Sequence, residues 1–411
     1  MKARLFLFDD RRARRWAPLT LTRPVGEILF GCLTIRERAE HVLGIKCEGH
    51  LSRKRLIGFD EPGAPPAIAP EDVSGGGTRV LLSSRAIAGF QTVQLPDSHA
   101  TIFVDGKPAG WIVPDGAPLP SEIWLRDPDA ANLDGARVDL AGFFLGHPWD
   151  LMRHNAEQIS RDVERLWPVA SSGEERTEGV HRIGSHPVSM AEDAIMEPGV
   201  HLDLRDGPIR VDRRARVEGP ARLTGPLYVG PDTIVFGGSV GTSSLGPACR
   251  IRGEVADSVF LGFVNKAHDG HIGHAVLGRW VNLGAFTTNS DLKNNYGTVR
   301  VWTPEGDKDT GLVKVGCFLG DHVKTGIGTL LNTGTIIGAG SNVFGGLMPP
   351  TVVPPFSWGA GSALGEYRLD KFLETSEVVM ARRNQRLTPG VRGVLETAWK
   401  ATARRRNDGP S

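Results

Sequence analysis

Cysteine is scarce in this chain: four residues (Cys32, Cys47, Cys249 and Cys317) in 411, far apart and never as a CxxC pair. That spacing excludes a zinc knuckle and a disulfide scaffold, and it fits a reducing cytoplasm. An excess of one charge is also missing. The 48 basic and 47 acidic residues leave a net charge of +1, without the electrostatic footprint of a nucleic-acid or membrane-surface binder. Small molecules and other copies of the chain are the expected partners. No apolar run approaches the ~18 residues that a spanning helix needs, and the opening MKARLFLFDD turns acidic too soon to read as a signal peptide. What the chain has in excess is glycine, 52 residues, about 13% against a usual ~7%, crowded between 199 and 365.

The first 165 residues alternate short apolar runs with polar stretches. Segments 5–8, 79–82, 101–104 and 122–125 read as buried strands of an α/β sheet. Between them, Ile35, Ala39 and Val42 fall at helical spacing, as do Leu151, Ile159, Val163 and Leu166 over 149–167. A polar linker at 171–187 marks a boundary. The expected domains are 1–170, 188–365 and 366–411.

After the linker the period changes to six. Val211, Val217, Leu223, Val229 and Val235 follow it without error, and small residues such as Ala215, Ala221 and Thr233 stand four places later. Cys249, Val255 and Leu261 keep the spacing after a phase break. Leu277 and Leu283 resume it, then Val313, Leu319, Thr325, Leu331, Ile337 and Val343. Such a hexapeptide repeat is the signature of a parallel β-helix: three six-residue faces make a coil, coils stack, and the aliphatic residue fills the interior. About seven coils are expected. Past 366 the pattern stops, and 367–382 and 391–406 read as helices capping the open end, with a basic tail.

The regular blocks are interrupted by NKAHDGHIGHAVLGRWVNLGAFTTNSDLKNNYG, residues 265–297, which carries His268, His271 and His274. Function concentrates where a regular scaffold is broken. Three readings stay open: a metal site, histidines lining coil corners, or a histidine acting as general base. Residues three apart on a β-helix do not share a face, which counts against metal. Acyl transfer from a thioester needs a base near neutral pKa, which imidazole supplies, and amide donors for the oxyanion, for which turns near Gly284, Ala285 and Gly338 are candidates.

KAH, HIG, LGRWVNLGAFT and NNYG resemble the acetyltransferase half of the GlmU-like family, bifunctional UDP-N-acetylglucosamine pyrophosphorylases and glucosamine-1-phosphate N-acetyltransferases. FDD, PLTLTRPVGEI and LTIRE near the start resemble an alternative bacterial branch of it. The resemblance implies a left-handed β-helix, a nucleotidyltransferase-like α/β domain before it, and a homotrimer with acetyl-coenzyme A lying between neighbouring subunits. It places the catalytic base on His268, puts His271 where the family has a phosphate-contacting tyrosine, and keeps a substrate-contacting asparagine as Asn282. Asn295 and Tyr296 match the family's second Asn-Tyr pair. The family's phosphate-site lysine falls on Ala256, leaving Lys266, Arg250, Arg252 and Lys293 as the cations for a sugar phosphate, with Lys314 and Lys324 as candidates for the coenzyme's phosphates.

The amino-terminal half lacks the glycine-rich loop with which such domains cradle nucleotide phosphates; no glycine precedes Gly26. Arg11, Arg12, Arg14, Arg15 and Arg23 either substitute side-chain cations or form a solvated basic surface. Asp105, at the end of TIFVD, is where that fold binds magnesium, or else a turn residue; Asp9 and Asp10 are alternatives. The expectation is a cytoplasmic transferase that acetylates glucosamine 1-phosphate from acetyl-coenzyme A and couples the product to UTP with Mg2+. The alternative is a sugar-phosphate nucleotidyltransferase whose β-helix only assembles or regulates, or a non-catalytic scaffold.

Overall fold

The computed structural model describes residues 3–91, 93–131, 135–168 and 178–407. The amino-terminal domain is a mixed seven-stranded sheet. Next to its central strand, Arg79–Ser83, lies the apolar strand Arg4–Phe8, which pairs in parallel with it on one side and with Cys47–Leu51 on the other. The strand Ala100–Val104 is reached through the antiparallel Lys107–Val113. Ile35–Leu43 is helical as expected, with Thr34 and Glu37 forming a reciprocal cap. Residues 149–167 form two helices, Asp150–Arg153 and Asn155–Leu166. Segment 122–125 is not a strand. Ser121 accepts the N–H of Trp124, and Glu122 pairs with Arg126 one turn on, so Glu122–Arg126 is a short helix.

Part of the expected linker, 171–177, lies outside the described residues; its carboxyl-terminal end already belongs to the solenoid, whose first strand is His181–Gly184. Three parallel sheets then run up the chain. The first face contains Val200–Leu204, Glu254–Ala256 and His271–Gly273. The second has nine strands from Val188–Met190 to Val352–Val353, two more levels than the seven coils expected. The third runs from Ile195–Met196 to Ser357–Ala360. Register stacks Val211, Val229, Leu245, Phe260, Leu277, Leu319, Ile337 and Val353 into one buried interior column. This is the physical cause of the hexad: a position that recurs on every face must be aliphatic to fill the prism.

Two members of the counted series depart from it. Leu261 is buried but faces the amino-terminal domain, and Phe260 takes the interior place. Val313 is 49% exposed, because an antiparallel hairpin, Arg300–Thr303 with Gly306–Asp309, is inserted in that coil and the interior resumes only at Cys317.

The outer side of the second face is also apolar. Tyr228, Val259, Val276, Phe318 and Ile336 pack against Trp16, Ile28, Phe30, Trp149 and Ile159, so the amino-terminal domain is seated on the solenoid through one continuous core. Charge fastens the same junction: Arg23 bridges Asp321 of the solenoid and Glu61, which also holds Arg279. The helices Leu369–Ala381 and Pro389–Ala401 pack on Phe356 of the last coils. Asp60 of the amino-terminal domain accepts the N–H of Val391 at 2.9 Å, so the cap is tied back to the first domain. Among the described residues no helix is long and apolar enough to cross a membrane.

Candidate active site

Coil corners in this solenoid take left-handed backbone angles. Gly270 (φ +132°) sits in one of them, where a Cβ would lie 2.3 Å from the carbonyl oxygen of Thr287. Only glycine allows that approach between stacked coils. The turn separates the histidines: His268 belongs to the corner leaving the third face, His271 opens a strand of the first face, and His274 (φ 47°) lies at the next corner. The three do not converge on one point, although His271 and His274 both approach Asp291. Among the described residues no group of three His, Cys, Asp or Glu side chains is arranged to hold a metal.

His268 is exposed, and its imidazole has no hydrogen bond among the described residues. Its backbone is held instead. Lys266 stands in the register of Ile251, inside the prism and only 2% exposed, and its Nζ donates to the carbonyls of Arg252 (2.6 Å) and His268 (2.9 Å). Burial lowers this ammonium from 10.5 to about 8. Lys266, expected to meet substrate, is therefore an interior strut beneath the His268 corner.

His271 and His274 share a carboxylate. Asp291 Oδ2 lies 2.7 Å from His274 Nδ1 and 3.9 Å from His271 Nε2; Glu254 stands 3.4 Å from the other nitrogen of His271, and Asp257 3.7 Å from that of His274. Asp291 is held well below the usual carboxylate range, first by His271 and then by His274. His271 is raised, chiefly by Asp291, whereas burial raises Asp257. Sequence reasoning missed the carboxylates, yet a signal existed. Asp257, His274 and Asp291 are spaced by one coil each, so they stack at one corner.

Of the other expected site residues, Lys314 is exposed and lies close enough to Asp257 to act on its charge. Asn282 is on the third face, where its Oδ1 accepts from Asn265. Lys293, Asn295 and Tyr296 form an exposed turn that closes on itself: Lys293 Nζ donates to the Thr298 carbonyl, Asn295 accepts from Gly297, and Tyr296 is 73% exposed. Of the proposed oxyanion donors, the N–H groups of Gly284 and Gly338 are engaged by Thr325 and Val353. That of Ala285 has no partner among the described residues. One chain thus gathers His271, His274, Asp291, Asp257 and Lys314, places His268 at a neighbouring corner, leaves Asn282 on the third face, and carries Asn295 and Tyr296 in the exposed turn that follows Asp291, where Leu292 pairs with Lys314.

Between the amino-terminal domain and the inserted hairpin a cleft of about 550 Å³ opens over the carboxyl edge of the sheet, lined by Arg11, Arg12, Arg15, Arg85, Arg126 and Lys308 together with Asp10, Asp127, Asp129 and Glu305; Arg15, Arg85, Arg126 and Lys308 are already paired with carboxylates. Arg23 is not part of it; it is buried between Asp321 (2.9 Å) and Glu61 (2.9 Å). Asp105 (φ 49°) and Gly106 form the two-residue turn joining Val104 to Lys107, a pairing that such hairpins favour. The strand-end carboxylates suit a magnesium ion poorly. Asp10 is engaged by Arg85 and the Ala13 N–H, and Asp9 accepts from Ser84, Ser52 and the Val25 N–H.

Residues 5–168 match the family model described as sugar nucleotidyl transferase. A bifunctional protein GlmU of Methanococcus vannielii is 25% identical over 233 residues, 54% of this chain and 50% of its own. A second, from Acaryochloris marina, is 26% identical across 50% of this chain and 41% of its own. A bifunctional sugar-1-phosphate nucleotidylyltransferase/acetyltransferase of Sulfurisphaera tokodaii is 32% identical over 93 residues, 23% of each chain. The chain spans about half the length, or less, of these curated relatives. A solved structure of a putative acetyltransferase from Bacillus cereus aligns with 55% of this chain and 99% of its own at 13% identity, with a TM-score of 0.25, too loose a match to carry an argument.

Proposed function

We propose that the solenoid transfers an acetyl group from acetyl-coenzyme A to the amine of glucosamine 1-phosphate, and that the amino-terminal domain couples the product to UTP to give UDP-N-acetylglucosamine. The observation that carries the first half is the exposed His268 imidazole on the coil that also carries His271 and His274, beside which the flanking coils stack Glu254, Asp257 and Asp291. Such a cluster attracts a cationic amino sugar. The bound ammonium first releases one proton to solvent; the neutral amine then attacks the thioester carbon while His268 takes its second proton, the Ala285 N–H faces the resulting oxyanion, and as the carbon–sulfur bond breaks the coenzyme leaves as thiolate and takes that proton from the imidazolium. His271, raised toward its charged form between two carboxylates, is a poorer base and orients the acidic corner. Lys314 is placed to meet a phosphate of the coenzyme.

The second half is supported by the match of residues 5–168 to the sugar nucleotidyl transferase model and by the cleft over the sheet, where Arg11 and Arg12 stand among several arginines. Guanidinium groups there supply the charge that a glycine-rich loop supplies through backbone amides. Magnesium enters as the counter-ion of UTP. Because His268 stands uncovered and Asn282 lies on the third face, a neighbouring copy completes the acetyl site, in keeping with a homotrimer.

Incubation with glucosamine 1-phosphate, acetyl-coenzyme A, UTP and magnesium, reading free thiol and pyrophosphate separately, tests both halves. Both products are expected. Pyrophosphate without thiol, on supplying N-acetylglucosamine 1-phosphate, would leave a nucleotidyltransferase with a solenoid that only assembles. Neither product would overturn the proposal.

A further inference from the structure

One wall of the cleft over the sheet does not belong to the amino-terminal domain. Thr303, Glu305 and Lys308 of the hairpin inserted in the solenoid line it together with Arg11, Arg12 and Arg15. The base of the hairpin is fixed. Val299, Val301 and Val315 are buried in the core that joins the two domains, and Leu292 pairs with Lys314 where the inserted segment leaves and rejoins the coil. Register sets Thr303 opposite Gly306, so Pro304 and Glu305 form a two-residue tip. A tip carried on a packed base presents its side chains at one defined place.

At that tip one carboxylate holds two cations. Glu305 pairs with Arg15 of the amino-terminal domain and, at 2.6 Å, with Lys308 of its own hairpin. The other paired cations of the lining are tied within the amino-terminal domain, Arg85 to Asp10 and Arg126 to Glu122. Asp127 and Asp129, the remaining carboxylates of the lining, are exposed. Arg15, Glu305 and Lys308 each keep about a third of the side chain exposed, and ion pairs of that exposure are weak and readily exchanged. A chain of phosphates offers the same guanidinium and ammonium several charged acceptors at once. Its negative charge also repels a carboxylate left beside it.

We infer that Glu305 and Lys308 of the solenoid belong to the nucleotide site of the amino-terminal domain: Glu305 competes with the phosphates of a nucleoside triphosphate for Arg15 and Lys308. When the phosphates enter, the carboxylate swings from the exposed tip into solvent and both cations pass to the ligand. Lys308 is then a phosphate-binding residue supplied by the other domain, and Glu305 sets the affinity with which the triphosphate is held. The inference rests on the nucleotidyl-transfer reading of the amino-terminal domain and goes beyond it by assigning part of that site to a hairpin of the solenoid.

Calorimetric titration of the full chain with UTP and with inorganic tripolyphosphate, each in the presence of magnesium, tests it on the wild type, Glu305→Gln, Lys308→Met and Asp307→Asn. Asp307 is the control: it is exposed, stands two residues from Glu305, gives up the same charge and does not line the cleft. Ligand-free melting temperatures check that each variant is folded. The expected result is that Glu305→Gln binds both ligands about threefold tighter or more, and Lys308→Met about threefold weaker or more, while Asp307→Asn stays within twofold of the wild type. Glu305→Gln binding no tighter than Asp307→Asn, or a gain confined to tripolyphosphate, would overturn the inference and leave the nucleotidyl-transfer reading standing. Unchanged affinities in Lys308→Met would overturn the place given to Lys308. No binding of UTP by the wild type or any variant would overturn both the inference and the reading beneath it.

Discussion

Lys266 is the residue whose sequence reading and structural place differ most. Flanked by Asn265 and Ala267 in the motif that resembles an acetyltransferase, it looks like a substrate cation. In the coil it occupies an interior position and clamps two corner carbonyls. The cost of that position can be read from its titration. An ammonium held at about 8 in the fold against 10.5 when free costs on the order of 3 kcal/mol below pH 8 and progressively less as pH rises to 10.5, where the unfolded chain has lost its proton too. Lys266→Met removes this term but leaves the two carbonyls unpaired, a loss of about 1–3 kcal/mol. The prediction is therefore differential: between pH 7.5 and 9.5 the wild type gains melting temperature relative to Lys266→Met. A constant difference across that range would mean that the amine is not buried. His268 was singled out because its neighbours carry a recognisable pattern, and what the structure adds is its exposure at a coil corner. The Asp257, His274 and Asp291 corner was not, because its members are joined only by the coil length.

At the scale of the element, the hexad was legible because one physical requirement, an aliphatic interior, repeats on every face. Leu330 and Leu331 give the sharpest test of it. They are adjacent leucines, 47% and 2% exposed, and only the second lies inside. Leu331→Asp buries an unpaired charge and is expected to give insoluble protein or no cooperative melt, whereas Leu330→Asp is expected to shift stability by less than about 0.5 kcal/mol. Circular dichroism melts of the two variants decide. Leu261 and Val313 escaped the same logic for separate reasons. An outer face covered by another domain is as apolar as an interior, and an inserted hairpin resets the count without changing composition. Segment 122–125 was misread because three consecutive apolar residues in a five-residue element have no period to measure, and the capping serine decides.

At the scale of the whole molecule, two domains and a helical cap are fastened by contacts that no local pattern announces. Arg23 meets Asp321 almost three hundred residues away. Its sequence context suggested a nucleotide phosphate; its burial between two carboxylates makes it a strut between domains. Arg23→Met should lower stability by about 3 kcal/mol, because buried Asp321 loses its charged partner and keeps only the Thr22 hydroxyl and the Arg279 N–H, and Glu61 is left with Arg279 alone, while the KM for UTP of the surviving folded protein stays within twofold. A large rise in KM without loss of melting temperature would restore the phosphate role. The central claim is that one molecule joins an acetyl-transferring solenoid to a nucleotidyl-transferring domain, with His268 as the base. The measurement that tests it most directly is thiol release from acetyl-coenzyme A by wild type and His268→Ala, with pyrophosphate release from UTP and N-acetylglucosamine 1-phosphate followed in the same preparations. The account predicts that thiol release falls by at least about a hundredfold while pyrophosphate release is unchanged; thiol release that survives His268→Ala undiminished would contradict it.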